Sequence, residues 1–185
     1  AFNNGQGNLG GSGGEVDWRS FVVGGDLKGV NQSVYAGRSN SSDTKSKKKF
    51  NWGQGWASLA NRKLDFQTKH HPVKSVLPMR ACCALEDDQQ VLHAFSKAAF
   101  DAYFAHGQNI DDPQVVADIA ESVGVEGEAL IQRTSKQDVK DRLRANTEEA
   151  IVKGAYGSPT MIVNDGQLYF GNDQLPLVRQ ALIAG

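Results

Sequence analysis

Apolar residues change their spacing twice along the chain, and each change marks a different kind of element. From Glu15 to Val23, Val16 and Trp18 alternate with Asp17 and Arg19 before the run Phe21-Val22-Val23, which predicts a strand entering a core and stopped by Gly24-Gly25. From Asp26 to about Asn51 no period survives. Serine, asparagine, glycine and the cluster Lys45, Lys47, Lys48 and Lys49 predict a solvated loop there, with an anion-attracting lid as the alternative.

Helical spacing then takes over. Trp52 to Arg62 reads as a weakly amphipathic helix packing through Trp52, Trp56, Leu59 and Ala60, and Val73 to Leu85 carries Val73, Val76, Leu77, Arg80 and Ala81 at helical intervals. Gln89 to His106 is the strongest helix, with Val91, Leu92, Phe95, Ala99, Ala102 and Tyr103 on one face. Asp112 caps the next, which opens on Pro113, buries Val115, Val116, Ile119 and Val123 and ends at Gly124. A short helix near Glu126 to Arg133 and a long one from Gln137 to Lys153 follow, the latter supported by the Glu149–Lys153 pair and stopped by Gly154.

Past Gly154 the spacing shortens to that of strands. Ser158-Pro159 precedes Thr160-Met161-Ile162-Val163, and a proline in front of a strand cannot join its ladder and belongs at the first residue or in a tight turn, where the cis isomer is most often found. Asn164-Asp165-Gly166 supplies a hairpin turn, Leu168-Tyr169-Phe170 a second strand, and Gln174 to Ala184 a last helix packing through Leu175, Leu177, Val178, Leu182 and Ile183. A strand, a long helical middle, two strands and a helix make an interrupted α/β chain. The fold class expected is α/β and thioredoxin-like, with a large all-helical insertion: residues 1–40 and 154–185 form the thioredoxin-like part and 41–153 the insertion.

At 185 residues with 39% hydrophobic content the chain can bury a core, and a net charge of −1 gives no global pull toward nucleic acid or anionic membranes. No apolar run approaches a membrane span and no secretory pattern opens the chain, so a cytoplasmic protein is expected. Cys82 and Cys83 are adjacent, which is neither a Cys-x-x-Cys redox pair nor a metal-ligand spacing; both are expected to be buried helix residues. His70 and His71 lack an acidic or thiolate partner at ligand spacing and predict a surface turn, not a metal site.

Three motifs carry a resemblance. Gly157-Ser158-Pro159-Thr160 with the strand pair and Phe170-Gly171-Asn172-Asp173, Val16-Asp17-Trp18-Arg19-Ser20-Phe21 with Gly24-Gly25, and His71-Pro72-Val73-Lys74-Ser75 running on to Met79-Arg80-Ala81 together resemble the 2-hydroxychromene-2-carboxylate isomerases. These are glutathione-dependent members of the DsbA group, related to the kappa-class glutathione transferases, and the resemblance extends over residues 15 to 183. It implies glutathione as cofactor and a small aromatic or bicyclic carboxylate as substrate, isomerised by thiol addition, bond rotation and elimination; a homodimeric assembly stays open. The family's opening strand and its Ser-Pro motif, whose serine faces the glutathione sulfur, have no counterpart in Ala1 to Gly14, where six glycines stand in fourteen residues. The element is either missing or replaced, and the catalytic residue is therefore left unassigned.

For the cofactor the resemblance implies Ser158 and Pro159 at the cysteinyl backbone and Asn172 and Asp173 at the γ-glutamyl end. The plainer reading makes Pro159 a fold element and Asn172 or Asp173 a helix cap. Lys28 and Asn31 fall near a lysine and an asparagine that line the family's pocket, one residue short of its spacing. A kappa-like transferase or peroxidase, and a non-catalytic or truncated thioredoxin-like binding protein, are the alternatives.

Overall fold

The computed structural model describes residues 16–23, 53–65, 69–163 and 166–184. Lys28, Asn31, the lysine-rich loop, Trp52, the Gly-rich opening and Asn164-Asp165 lie outside these residues.

A helix covers residues 53–59, and then α1 (Val76–Ala84), α2 (Gln89–Phe100), α3 (Pro113–Glu121), α4 (Gly127–Thr134) and α5 (Gln137–Val152) form a compact helical unit. Their caps follow from short polar side chains at the right places. Asp88 accepts from the amides of Gln90 and Val91, Asp112 accepts from Gln114 ahead of Pro113, and Glu126 accepts from Ala129. The predicted extension of α2 to His106 is present, but Asp101–Ala105 widens into a π turn in which His106 N–H donates to Asp101 O at 3.2 Å. The unit's core is built on Phe95 and Val116, both fully buried, with Leu92, Tyr103, Ile119 and Leu130 around them.

Strands β1 (Thr160–Val163) and β2 (Gln167–Phe170) pair antiparallel, Thr160 opposite Phe170 and Val163 opposite Gln167. A 3-10 turn at Asn172–Gln174 leads into α6 (Leu175–Ala184). One face of the hairpin, through Met161, Val163 and Tyr169, packs on Val178, Ala181 and Leu182 of α6. The other face keeps Ile162 and Phe170 exposed.

The strand expected over residues 15–23 forms no ladder among the described residues. Its period-two burial is nevertheless present, with Val16, Trp18 and Ser20 turned in and Asp17 and Arg19 turned out. The physical reason is that helix side chains supply the backbone partners a neighbouring strand would give. The Gln89 carboxamide accepts from Trp18 N–H at 2.7 Å and donates to Trp18 O at 3.3 Å; Asn146 Nδ2 donates to Ser20 O at 3.2 Å; Val22 N–H donates to Thr147 Oγ1 at 3.1 Å. The same segment touches three apolar clusters: Val16 joins the hairpin and α6, Trp18 the helical core, and Val22 the cluster of Cys83, Val139 and Leu143. It stitches the hairpin unit to the helices.

Other inward assignments need correction. Trp56 and Leu59 stand exposed on the 53–59 helix, as do Val76 on α1 and Leu177 and Ile183 on α6. Short amphipathic helices on a small unit leave apolar residues outside once the stripe facing the core is filled.

Candidate functional site

Gly154, with φ +84°, ends α5, and the chain then turns through Ala155 to Ser158 into a cis Ser158–Pro159 bond. Thr160 Oγ1 donates to Gly157 O at 2.6 Å and closes this turn. Pro159 has no N–H to give, but its carbonyl accepts from Gly171 N–H at 3.0 Å. That bond extends the hairpin ladder by one pair and sets the Ser158-Pro159 turn beside the start of Asn172-Asp173. Four of the six residues assigned from the sequence are thus brought to one end of the hairpin.

The sequence reading gives Gly171 no role beyond its place in the Phe170-Gly171-Asn172-Asp173 motif. Its φ of +98° is open to glycine, and a Cβ there would lie 2.5 Å from Asp173 Oδ1. The chain therefore reverses tightly at Gly171, and the Asp173 carboxylate folds back over it. The positive φ was signalled only by a lone glycine between the end of a strand and a polar pair.

Ser158 is exposed, and among the described residues its backbone N–H and C=O find no hydrogen-bond partner. Asp173 is exposed and is touched by the Gln174 carboxamide at 3.0 Å; no side chain caps the 3-10 turn, whose preceding residue is Gly171. At the 3-10 turn the capping position falls to Gly171, so neither Asn172 nor Asp173 caps that turn by a side-chain bond. An unsatisfied backbone pair beside a carboxylate suits the amide and ammonium groups of a short peptide. The residues present fit glutathione's γ-glutamyl-cysteinyl part on this account.

The aromatic side of the turn is equally well defined. The rings of Tyr156 and Phe170 lie 4.6 Å apart at 46°, and Gly157 lies against the Phe170 ring. Elsewhere, a cleft of about 630 Å³ opens between α2, the π turn and α3, but its carboxylates are engaged, Asp101 by Arg62 and Lys97 and Asp118 by Gln114. Cys82 and Cys83 are buried on α1 as reduced thiols, and burial pushes Cys83 up to about 12 and Cys82 upward as well, so neither is a thiolate near neutrality. Among the described residues no three metal-ligating side chains converge, and His71 instead places Nδ1 2.7 Å from the Tyr103 hydroxyl. No described helix is long and apolar enough to cross a membrane.

Comparison with known proteins adds to this geometry. A glutathione S-transferase kappa 2 of Caenorhabditis elegans is 28% identical over 136 residues, covering 70% of this chain and 60% of that protein. Glutathione S-transferase kappa 1 of Rattus norvegicus is 29% identical over 125 residues (64% and 55%), and the 2-hydroxychromene-2-carboxylate isomerase of Sphingobium xenophagum 29% identical over 103 (55% and 52%). The chain thus spans roughly half to three fifths of the length of these relatives. In three dimensions a solved 2-hydroxychromene-2-carboxylate isomerase superposes with a TM-score of 0.71 at 21% identity, over 98% of this chain and 87% of the other, which establishes the thioredoxin-like fold with its helical insertion. The model of the DSBA-like thioredoxin domain matches residues 9–183, and the chain belongs to that family.

Proposed function

We propose that this chain is a glutathione-dependent isomerase of the 2-hydroxychromene-2-carboxylate type. The observation that carries the reading is the Gly171 N–H bond to Pro159 O, which joins the unpaired Ser158 backbone to Asn172 and Asp173 at one end of the hairpin. Ser158 offers one donor and one acceptor to the cysteinyl residue of glutathione, as an added strand would use them. The Asp173 carboxylate pairs with the γ-glutamyl ammonium, while Asn172 and the free amides of the 3-10 turn take the carboxylate. Glutathione would supply the thiolate that adds to a conjugated double bond, so that rotation about the resulting single bond and loss of the thiolate give the isomer.

Calorimetric titration with glutathione tests the site directly. Asp173→Ala removes the ammonium's partner and is expected to weaken binding by about 1.5–3 kcal/mol, more than tenfold. Lys153→Ala, at an exposed cation paired with Glu149, should change it by less than about 1 kcal/mol. Equal losses in the two variants, or no binding by the parent, would overturn the assignment.

A kappa-like transferase is the second reading, favoured by the kappa relatives, which cover more of this chain than the isomerase does. Turnover of a bicyclic hydroxychromene carboxylate against a chloronitroarene, each with glutathione, separates the two.

A further inference from the structure

Among the described residues β1 is paired along one edge only, and we propose that its other edge takes an extended segment of another polypeptide as an added strand. The Gly171 N–H bond to Pro159 O fixes which groups are involved. With Thr160 opposite Phe170 in the register, that bond makes Met161–Tyr169 and Val163–Gln167 the hydrogen-bonded pairs of the ladder. The N–H and C=O of Thr160 and Ile162 therefore point away from β2, and among the described residues they find no partner. Two donors and two acceptors stand in a row, at the spacing of an extended backbone.

Exposed edges of this kind are normally blunted by a lysine, a proline, a bulge or a covering element. Thr160-Met161-Ile162-Val163 carries no charge, and its register with β2 runs through without a bulge. Ile162 is 39% exposed, so apolar surface is open there as well as backbone. A second row belongs to the same unit. Within residues 16–23 the backbone groups that helix side chains satisfy are those of Trp18, Ser20 and Val22, every second residue. The backbone groups of Asp17, Arg19 and Phe21 between them find no partner among the described residues, and Val16 carries this segment into the cluster of Val163 and Val178. The occupant these edges fit is a short apolar run. Met161 and Val163 face α6 and Ile162 faces the other way, so a strand laid beside β1 meets apolar side chains on both of its faces. The site uses Thr160 and Ile162 and stands apart from the glutathione reading, which uses Ser158.

The test uses the whole chain and, as probe, a short acetylated and amidated peptide of alternating valine and threonine with a lysine at each end. Residue-resolved amide exchange by NMR reads Thr160 and Ile162 with and without it. Both amides are expected to exchange freely in the parent alone and to slow tenfold or more with the peptide, while the Val116 amide in the helical core stays unchanged. The same peptide N-methylated at alternate residues should give no protection. Ile162→Pro removes a donor that faces the open edge and none from the β1–β2 ladder, so calorimetry should find the probe weakened tenfold or more in a variant that circular dichroism shows to be folded. Should that variant unfold, the N-methylated peptide alone decides. Amides already protected in a monomeric parent would mean that the chain fills its own edge. Protection that rises with protein concentration, alongside a dimer in sedimentation velocity, would assign the edge to a second copy. Either result, or free exchange at millimolar probe, would overturn the inference, and none of them touches the glutathione reading.

Discussion

Replacing Gln89 with leucine removes three hydrogen bonds and very little volume. Its carboxamide accepts from Trp18 N–H at 2.7 Å and donates to Trp18 O at 3.3 Å and to Glu86 O at 2.8 Å. Each such bond is worth about 0.5–1.5 kcal/mol net, and a half-buried amide left without a partner costs about 1–3 kcal/mol, so the docked segment would lose all of this if it could not move. Residues 16–23 can lift off and hydrate instead, which limits the local loss to about 2 kcal/mol. Because 1.4 kcal/mol is a factor of ten, the Trp18 amide should lose about thirtyfold of its protection against hydrogen exchange. Native-state exchange followed by mass spectrometry over residues 16–23 measures this, with α3 and α4 as internal controls. Unchanged exchange at Trp18, or an equal loss throughout α3 and α4, would refute the view that Gln89 holds the segment locally.

Other expectations follow from the same geometry. Both thiols should react with a disulfide reagent only as fast as the helical unit opens; rapid labelling at pH 8 would contradict their burial. Burial holds the Glu86 carboxyl above its ordinary range, with the Asn146 amide at 3.0 Å pulling it back, so its ionisation destabilises the fold as pH rises through the raised value, a penalty absent below the unfolded-state value. Denaturant titrations should accordingly find Glu86→Gln gaining on the parent between pH 4 and pH 7 and converging with it in acid; a gap that widens in acid would be wrong in sign. Gly171→Ala places a Cβ against Asp173 at a φ of +98° and should cost about 1–3 kcal/mol, measured by urea unfolding, and weaken glutathione with it.

The helices were legible because each is punctuated by groups whose effect is local. Asp112 before Pro113 and Gly154 after Lys153 act within one turn of themselves, and Leu92, Phe95 and Ala99 lie on one stripe whatever surrounds them. The hairpin and the cis Ser158–Pro159 bond were legible for the same reason. Residues 16–23 show where that reasoning stops, since alternation reports which side chains turn inward and says nothing about what the backbone bonds to. Gln89, Asn146 and Thr147 look like ordinary helix-surface polar residues, and their role arises only when the segment crosses them. The exposure of Trp56 and Leu59 was likewise hidden, because an apolar stripe specifies a face without specifying a neighbour.

The side-chain clamps on residues 16–23 also order events in time. Trp18 meets its partner across 71 positions and Val22 meets Thr147 across 125, whereas the α3–α4 and α1–α2 packings join helices adjacent in sequence. Closing the longer loops costs more chain entropy, and the acceptors exist as a row only after α2 and α5 have formed and aligned. Docking of the segment is therefore a late step, following assembly of the helical unit. On the ribosome residues 16–23 emerge before their helical partners and must wait until Thr147 has been synthesised before their final contacts can close.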